Sequence, residues 1–482
     1  MDKQVITLLR SDGYIGGAWV PSRARFPVVD KASGVEIARV ADLGPEDARA
    51  AIAAADKAFK PWAGTLAKDR SKLIRRWHDL ILEHADELAL LLCQEQGKPL
   101  AEARAEIIYG AGFIEFFAEE AKRVRGETAP THKADARILV TRQAAGVAAA
   151  ITPWNFPNAM IARKASAALA AGCTIVIKPA EDTPLSALAL AALAERAGIP
   201  AGVLNIVPCK DPVGVGEVLT TDPRVRVVTF TGSTEIGKIL MRQAAGTVKR
   251  VCLELGGSAP FIVFDDADMP RAVAGAMASK FRNAGQTCVC ANRFFVQAGV
   301  YGAFAAALTR EVKKLKVGAG LEAATTLGPL INAAAVAKVN EHVRDAVSKG
   351  ARIETGGKPH KAGLNFYAPT VLTGVSATAK IAQEETFGPV APLFKFDTEA
   401  EAIAAANGTP YGLAAYVFTR DLGRAFRLSE ALDFGIVGVN EGVTSTEFAP
   451  FGGFKESGIG REGSHHGVEE FLETKYTLIG GI

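Results

Sequence analysis

The sequence predicts an α/β protein carrying two successive sheets, and three observations support this. From about residue 145, short apolar runs alternate with segments of helical period. The runs are apolar throughout, which is how parallel strands covered on both faces read. At residue 260 a second series of the same kind begins.

Taken in order, residues 45–122 are expected to be helical. "PEDARAAIAAADKAF" and "KDRSKLIRRWHDLILEHADELALLLCQEQG" repeat apolar residues every three to four positions, and "EARAEIIYGAGFIEFFAEEAKRV" continues the pattern. The segment 125–143, "RGETAPTHKADARILVTRQ", is charged and extended and reads as a ribbon projecting from the body. The first sheet is then expected from the strands "GVAAAI", "CTIVIKP", "GVLNIV", "RVVTF" and "RVCLEL". Between them lie the loop "TPWNFP" and the helices "NAMIARKASAALAAG", "TPLSALALAALAERAG", "GVGEVLTTD" and "STEIGKILMRQAAG". The second series opens with the strand "PFIVF", followed by "DMPRAVAGAMASKF", "ANRFFVQ" and "YGAFAAALTREVKKL", and runs to about residue 445. A domain boundary is placed in "ELGGSAP", residues 254–260. Ligands of such sheets bind beyond the carboxyl ends of the strands.

Composition narrows the function classes. The chain has 482 residues, 49% hydrophobic and 22% charged, with a formal charge of +3. That near-neutral balance gives no electrostatic case for nucleic acid or an anionic membrane. "MDKQVITLLRSDG" holds an apolar run of only five residues before Arg10, too short for a signal-peptide core, and no uninterrupted apolar span approaches 20 residues. Six cysteines are too few for a disulfide scaffold, so the expected compartment is the cytoplasm. Cys93, Cys173, Cys209 and Cys252 are isolated and read as packed residues. With no H-E-x-x-H and no C-x-x-C, no metal is expected, and no G-x-S-x-G elbow occurs.

Three stretches carry chemistry. In "FTGSTEIGKI", Gly232, Gly237 and Lys238 match the start of a P-loop, but Ile239 stands where magnesium binding needs Ser or Thr. Gly232 and Ser233 instead suit a dinucleotide pyrophosphate at a helix N-terminus, Ser233 reading equally as a helix cap. "PVGVG" adds only Gly214 and Gly216. In "IKPAED", Lys178 and Glu181 follow a strand, where a lysine can hold ribose hydroxyls and a carboxylate repels a 2′-phosphate; both also read as solvated loop charges. In "FRNAGQTCVCANR", Cys288 and Cys290 stand one residue apart, open to reading as metal ligands, a disulfide, packing or a nucleophile.

The ordered motifs "TPWNFP", "KPAE", "FTGSTEIG", "LELGG", "FRNAGQTC", "EETFGPV" and "PFGGFKESGIGREG" resemble those of the aldehyde dehydrogenase superfamily, from about residue 10 to 480, and in wording its bacterial succinate-semialdehyde dehydrogenases. The resemblance implies a Rossmann-type cofactor domain (1–122 and 145–254), an α/β catalytic domain (255–445, with 446–469 returning to the cofactor side) and a small β oligomerisation arm (123–144 and 470–482) pairing in a dimer or tetramer. It implies Cys288 as nucleophile, Glu254 as general base, Asn155 as oxyanion donor and Lys178 as ribose ligand. Around the dinucleotide it places Thr152, Pro153, Trp154, Ala180, Glu181, Gly214, Gly232, Ser233, Leu255, Glu385 and Phe387. Glu181 favours NAD, with NADP possible. Arg163, Arg282 and Ser445 resemble a carboxylate-binding set, with Phe156 and Phe448 as an apolar wall. The implied substrate is a small semialdehyde bearing a carboxylate, succinate semialdehyde first, with glutarate or 2-oxoglutarate semialdehyde as alternatives. A non-catalytic relative is disfavoured by the intact Asn155, Glu254 and Cys288. Some relatives carry a second cysteine like Cys290, which suggests a reversible oxidative switch.

Overall fold

A computed structural model describes residues 6–482. The expectation drawn from the first thirteen residues falls partly on residues 1–5, outside the described residues.

The first sheet has eight strands. At its centre run five parallel strands in the spatial order Leu204–Ile206, Thr174–Lys178, Val147–Ile151, Val225–Thr231, Arg250–Glu254. Their residues are almost all buried, which is why each reads as an unbroken apolar run. The chain builds outward from Val147–Ile151 in one direction, then crosses back and builds in the other. The order therefore reverses between Val147–Ile151 and Val225–Thr231, the switch point where such sheets bind ligands. Two antiparallel additions close the edges. One is a hairpin, Gly13–Ile15 with Ala18–Val20; the other is Gly458–Ile459, from far along the chain. The strands before residue 42 were not expected, because three- to six-residue strands in polar surroundings leave no readable period.

The helices cover this sheet as their apolar spacing requires. Ala159–Ala171 is buried along all thirteen residues, between the sheet and the helix Leu100–Glu120. Its alanines allow that tight layering, and Ser166 satisfies its hydroxyl on the Ala162 carbonyl at 2.6 Å. The long periodic stretch after residue 67 is two helices, Ala67–Glu83 and Ala85–Gln96, broken at His84.

The second sheet has seven strands, six of them parallel, with Ala259–Val263 and Ala291–Gln297 in the middle and Ile436–Val439 at one edge. A phenylalanine cluster fills its core, with Phe261 stacked 4.7 Å from Phe418. Residues 127–129, 136–144 and 472–480 form a separate antiparallel three-stranded sheet. No described helix is long and apolar enough to cross a membrane.

Candidate active site

The loops leaving Val147–Ile151 and Val225–Thr231 at the switch point open onto a cleft of ≈ 290 Å³. The first loop lines it with Pro153, Trp154, Asn155 and Phe156, the second with Gly232 and Ser233. Leu255 and Gly256, just past the last strand of the first sheet, form one wall. Cys288, Glu385, Thr386 and Phe387 come from the second sheet's side, so the two sheets meet here.

Cys288 is half-buried in this cleft. The turn before it is unusual, since Asn283, Ala284 and Gly285 all have positive φ, at 51°, 55° and 75°. Two consecutive non-glycine residues in that region store strain and need external support. Glu102 accepts the Asn283 amide at 2.8 Å, and the Asn283 side chain donates to the carbonyls of Asn155 (3.0 Å) and Gln286 (3.2 Å). Gln286 in turn donates to Pro329 and accepts the Ile331 amide at 2.9 Å. At Gly285 there is room for no side chain, because a Cβ would sit 2.3 Å from the Gly388 carbonyl.

Asn155 faces the cleft with its side-chain nitrogen donating to Gln286 O at 3.0 Å. An amide carries two N–H groups, so a second is left for a ligand. Burial, with Glu385 adding to it and Arg163 opposing, pushes the Cys288 thiol up to about 12. Glu385 is itself raised to about 7 by burial and accepts the Gly257 amide at 3.4 Å.

Glu254 ends the strand Arg250–Glu254, and both its carboxylate oxygens are buried without a hydrogen-bond partner. Burial and the nearby Glu462 raise its pKa well above the usual range, while Arg163 and Lys164 pull the other way. Glu462 pairs with both Arg163 and Lys164. Burial would raise Glu462 too, but these two cations win and hold it low. Lys164 also donates to Thr229 at 3.1 Å.

Arg163 and Arg282 do not themselves line the cleft; they stand behind Phe156 and Met160, which do. Arg163 Nη2 lies 3.2 Å from Met160 Sδ, and Arg282 stands 5.5 Å over the Phe156 ring. Arg163 Nη1 and Arg282 Nε are buried with no partner. Tyr109, buried on the helix Leu100–Glu120, sets its hydroxyl against Arg163 and Ser445. Phe448 lies elsewhere: it is 70% exposed, 5.8 Å from Phe116, and outside the cleft lining.

The remaining expected residues divide. Lys178 is buried and reaches Glu181 at 3.2 Å and the Pro179 carbonyl at 2.9 Å. Ala180 is buried beside it. Thr152 donates its amide to the Lys178 carbonyl at 3.1 Å, joining the two loops. Ser233 caps the helix Thr234–Ala245, accepting the Ile236 amide at 3.3 Å, and also lines the cleft. Gly214 does not line the cleft; it belongs to a shallow depression with Pro45, Arg49 and Glu217. Cys290 is buried, donating to Gly285 O at 3.2 Å, with Lys280 Nζ 3.7 Å from its sulfur. All six cysteines are free.

A match to the aldehyde dehydrogenase family spans residues 19–477. The chain belongs to the aldehyde dehydrogenase family. It is 57% identical over 475 residues to succinate-semialdehyde dehydrogenase [NADP(+)] GabD of Escherichia coli, covering 98% of each chain. It is also 57% identical over 477 residues to glutarate-semialdehyde dehydrogenase of Pseudomonas aeruginosa, covering 98% of this chain and 99% of that one. The crystal structure of succinate-semialdehyde dehydrogenase from Burkholderia pseudomallei superposes with a TM-score of 0.98 at 56% identity, covering 100% of both chains.

Aldehyde dehydrogenases use a nicotinamide dinucleotide, and the cleft fits one. At Gly232 a Cβ would lie 2.3 Å from the Phe230 ring, so the backbone there stays bare for close approach. The buried hydroxyls of Thr152 and Thr231, at the carboxyl ends of the two switch-point strands, have no partner. Phe387 holds φ at 53° with its ring edge-on to Trp154 at 5.5 Å, a strained arrangement facing the cleft. Sequence reasoning passed over Met160 and Lys338 in the cleft lining, and Lys98, Glu106, Tyr109, Lys164 and Glu462 behind it. For Glu462 a signal existed, since "GIGREG" lies within a matching motif.

Proposed function

We propose that this aldehyde dehydrogenase oxidises succinate semialdehyde to succinate, with NAD preferred over NADP. The observation that carries the substrate class is the pair of orphaned buried donors, Arg163 Nη1 and Arg282 Nε. A buried cation leaves a donor unsatisfied at a cost of several kcal/mol unless a ligand supplies the acceptor. A carboxylate a few carbons from an aldehyde supplies it and fixes the carbonyl over Cys288. Ser445 and Tyr109 complete that end.

In this reading Cys288, its thiol proton given up, adds through sulfur to the aldehyde carbon, and the carbonyl oxygen takes the negative charge and accepts a hydrogen bond from the Asn155 amide. The bound dinucleotide supplies the hydride acceptor. Cys288 is left as a thioester, and Glu254 takes a proton from the water that cleaves it, releasing the acid and the thiol. Burial disfavours the ionised form of both Cys288 and Glu254, and Arg163 opposes it at both, which favours the thiolate and carboxylate that the chemistry needs. Lys178 and Glu385 would hold the dinucleotide's riboses and Gly232 and Ser233 its phosphates, and the Glu181 carboxylate would repel a 2′-phosphate.

The test compares kcat/KM for succinate semialdehyde and butanal. Arg282→Ala should lose about 10- to 100-fold on the charged substrate, the worth of a charge-assisted hydrogen bond, and little on butanal, while Arg163→Ala, which also unpairs Glu462, should lose on both but more on the charged one. Equal losses on the two substrates in Arg282→Ala would overturn the anchor. Glutarate semialdehyde is the second reading, favoured by the Pseudomonas aeruginosa relative, and one methylene separates the two by only about 1–3 kcal/mol.

A further inference from the structure

We propose that the buried Lys98–Glu106 pair is a positioning device that holds the oxyanion donor Asn155 in place. It rests on the reading of Asn155 as that donor. The helix Ala85–Gln96 ends at Gly97, in the left-handed conformation, and Pro99 precedes the helix Leu100–Glu120. Lys98 is thus confined to a tight turn between two helices, and its side chain goes inward rather than to water, 2% exposed. Each of its three donors has a partner. Nζ lies 2.5 Å from Glu106 Oε2, 2.9 Å from the Asn155 carbonyl oxygen, and 3.9 Å over the Phe156 ring. Glu106 uses its other oxygen to accept the amides of Asn158 (3.0 Å) and Ala159 (3.2 Å), the first turn of the helix Ala159–Ala171.

One ion pair therefore grips the catalytic loop at both ends. Lys98 holds the residue that carries the amide, and Glu106 holds the helix start four residues on. A charge pair this deep stabilises little by itself, because desolvating both groups offsets their attraction. An apolar pair would pack the same space without that cost. What the ion pair adds is direction: with Asn283 on the same carbonyl it fixes the peptide of Asn155, whose side chain donates to Gln286 O and faces the cleft that Cys288 also lines. Neither residue lines the cleft, so they act through Asn155 and are not catalytic themselves.

The test is a double-mutant cycle on single-turnover NADH formation, with Lys98→Met, Glu106→Gln, Asn155→Ala and the two pairwise combinations with Asn155→Ala. NAD affinity and thermal unfolding are measured alongside. Removing one oxyanion donor costs about 100- to 1000-fold. Lys98→Met should lose most of that in the chemical step, with NAD affinity unchanged, and should lose little more when Asn155 is already alanine. Glu106→Gln, which keeps an acceptor for the helix start, should fall between Lys98→Met and the parent and serves where Lys98→Met fails to fold. Losses that multiply in the cycle would overturn the proposal and leave the pair a purely structural one. An undiminished Asn155→Ala would instead overturn the oxyanion reading beneath it.

Discussion

At the scale of single residues, the charge around Glu254 is the most informative feature. Its carboxyl is raised by burial and by Glu462, and lowered by Arg163 and Lys164. Replacing Glu462 with glutamine removes one negative neighbour and frees two cations from it. The Glu254 pKa then falls, so ionised base appears at lower pH. The acid limb of kcat should shift to lower pH in Glu462→Gln when thioester hydrolysis limits turnover; a shift to higher pH would show that the pairing geometry matters more than the charge. Cys288→Ala should abolish dehydrogenation while NAD still binds, as followed by a rise in Tm on adding NAD. At Glu181, replacement by serine should move the NADP-to-NAD ratio of kcat/KM upward by about tenfold or more, since a carboxylate no longer opposes the 2′-phosphate. Peroxide inactivation should be thiol-reversible in the parent and lose that reversibility in Cys290→Ala, if Cys290 bridges to the nucleophile.

At the scale of elements, legibility followed the strength of the local pattern. The five parallel strands of the first sheet were readable because burial on both faces makes each one a solid apolar run, such as "VAAAI" and "TIVIK". Cys288 and Glu254 were readable because they sit inside ordered motifs. Lys98 was not: between Gly97 and Pro99 it has the look of a solvated turn residue, and only the packing of three helices shows that it points inward. The hairpins before residue 42 escaped for a different reason, their strands being too short to carry a period. Phe448 was expected at the tunnel wall from motif position alone, and the loop that carries it leaves the ring at the surface. The three-stranded sheet of residues 127–144 and 472–480 exposes Leu139, Tyr476, Leu478 and Ile479. Exposed apolar residues gathered on a separate small sheet suit a subunit contact. Leu139→Asp with Ile479→Asp should reduce the solution mass measured by light scattering, and an unchanged mass would remove the arm from the assembly.

At the scale of the whole molecule, the two sheets divide the chemistry. Loops from the first present Asn155, Gly232 and Ser233, and the second side brings Cys288 and Glu385 across the same cleft. The strand Gly458–Ile459 returns from the far end of the chain to pair with Arg250–Glu254, carrying Glu462 back beside Glu254. That long-range return explains why the charge network could not be read from neighbouring residues. Folding must bring together positions some two hundred residues apart before Glu254 has its final environment, so activity in denaturant should be lost at or before the main transition in tryptophan emission.

The turn at Gly285 has one more implication, for anyone wishing to redesign this protein. Its backbone touches that of Gly388 so closely that a single methyl group cannot be inserted, and Gly388 in turn abuts Val339. The loop of Cys288, the loop after Glu385 and the helix Ala333–Ser348, which carries Val339, are thus interlocked like adjoining teeth. Grafting one of them from a relative without the others will jam the fit, so useful chimeras must exchange all three together.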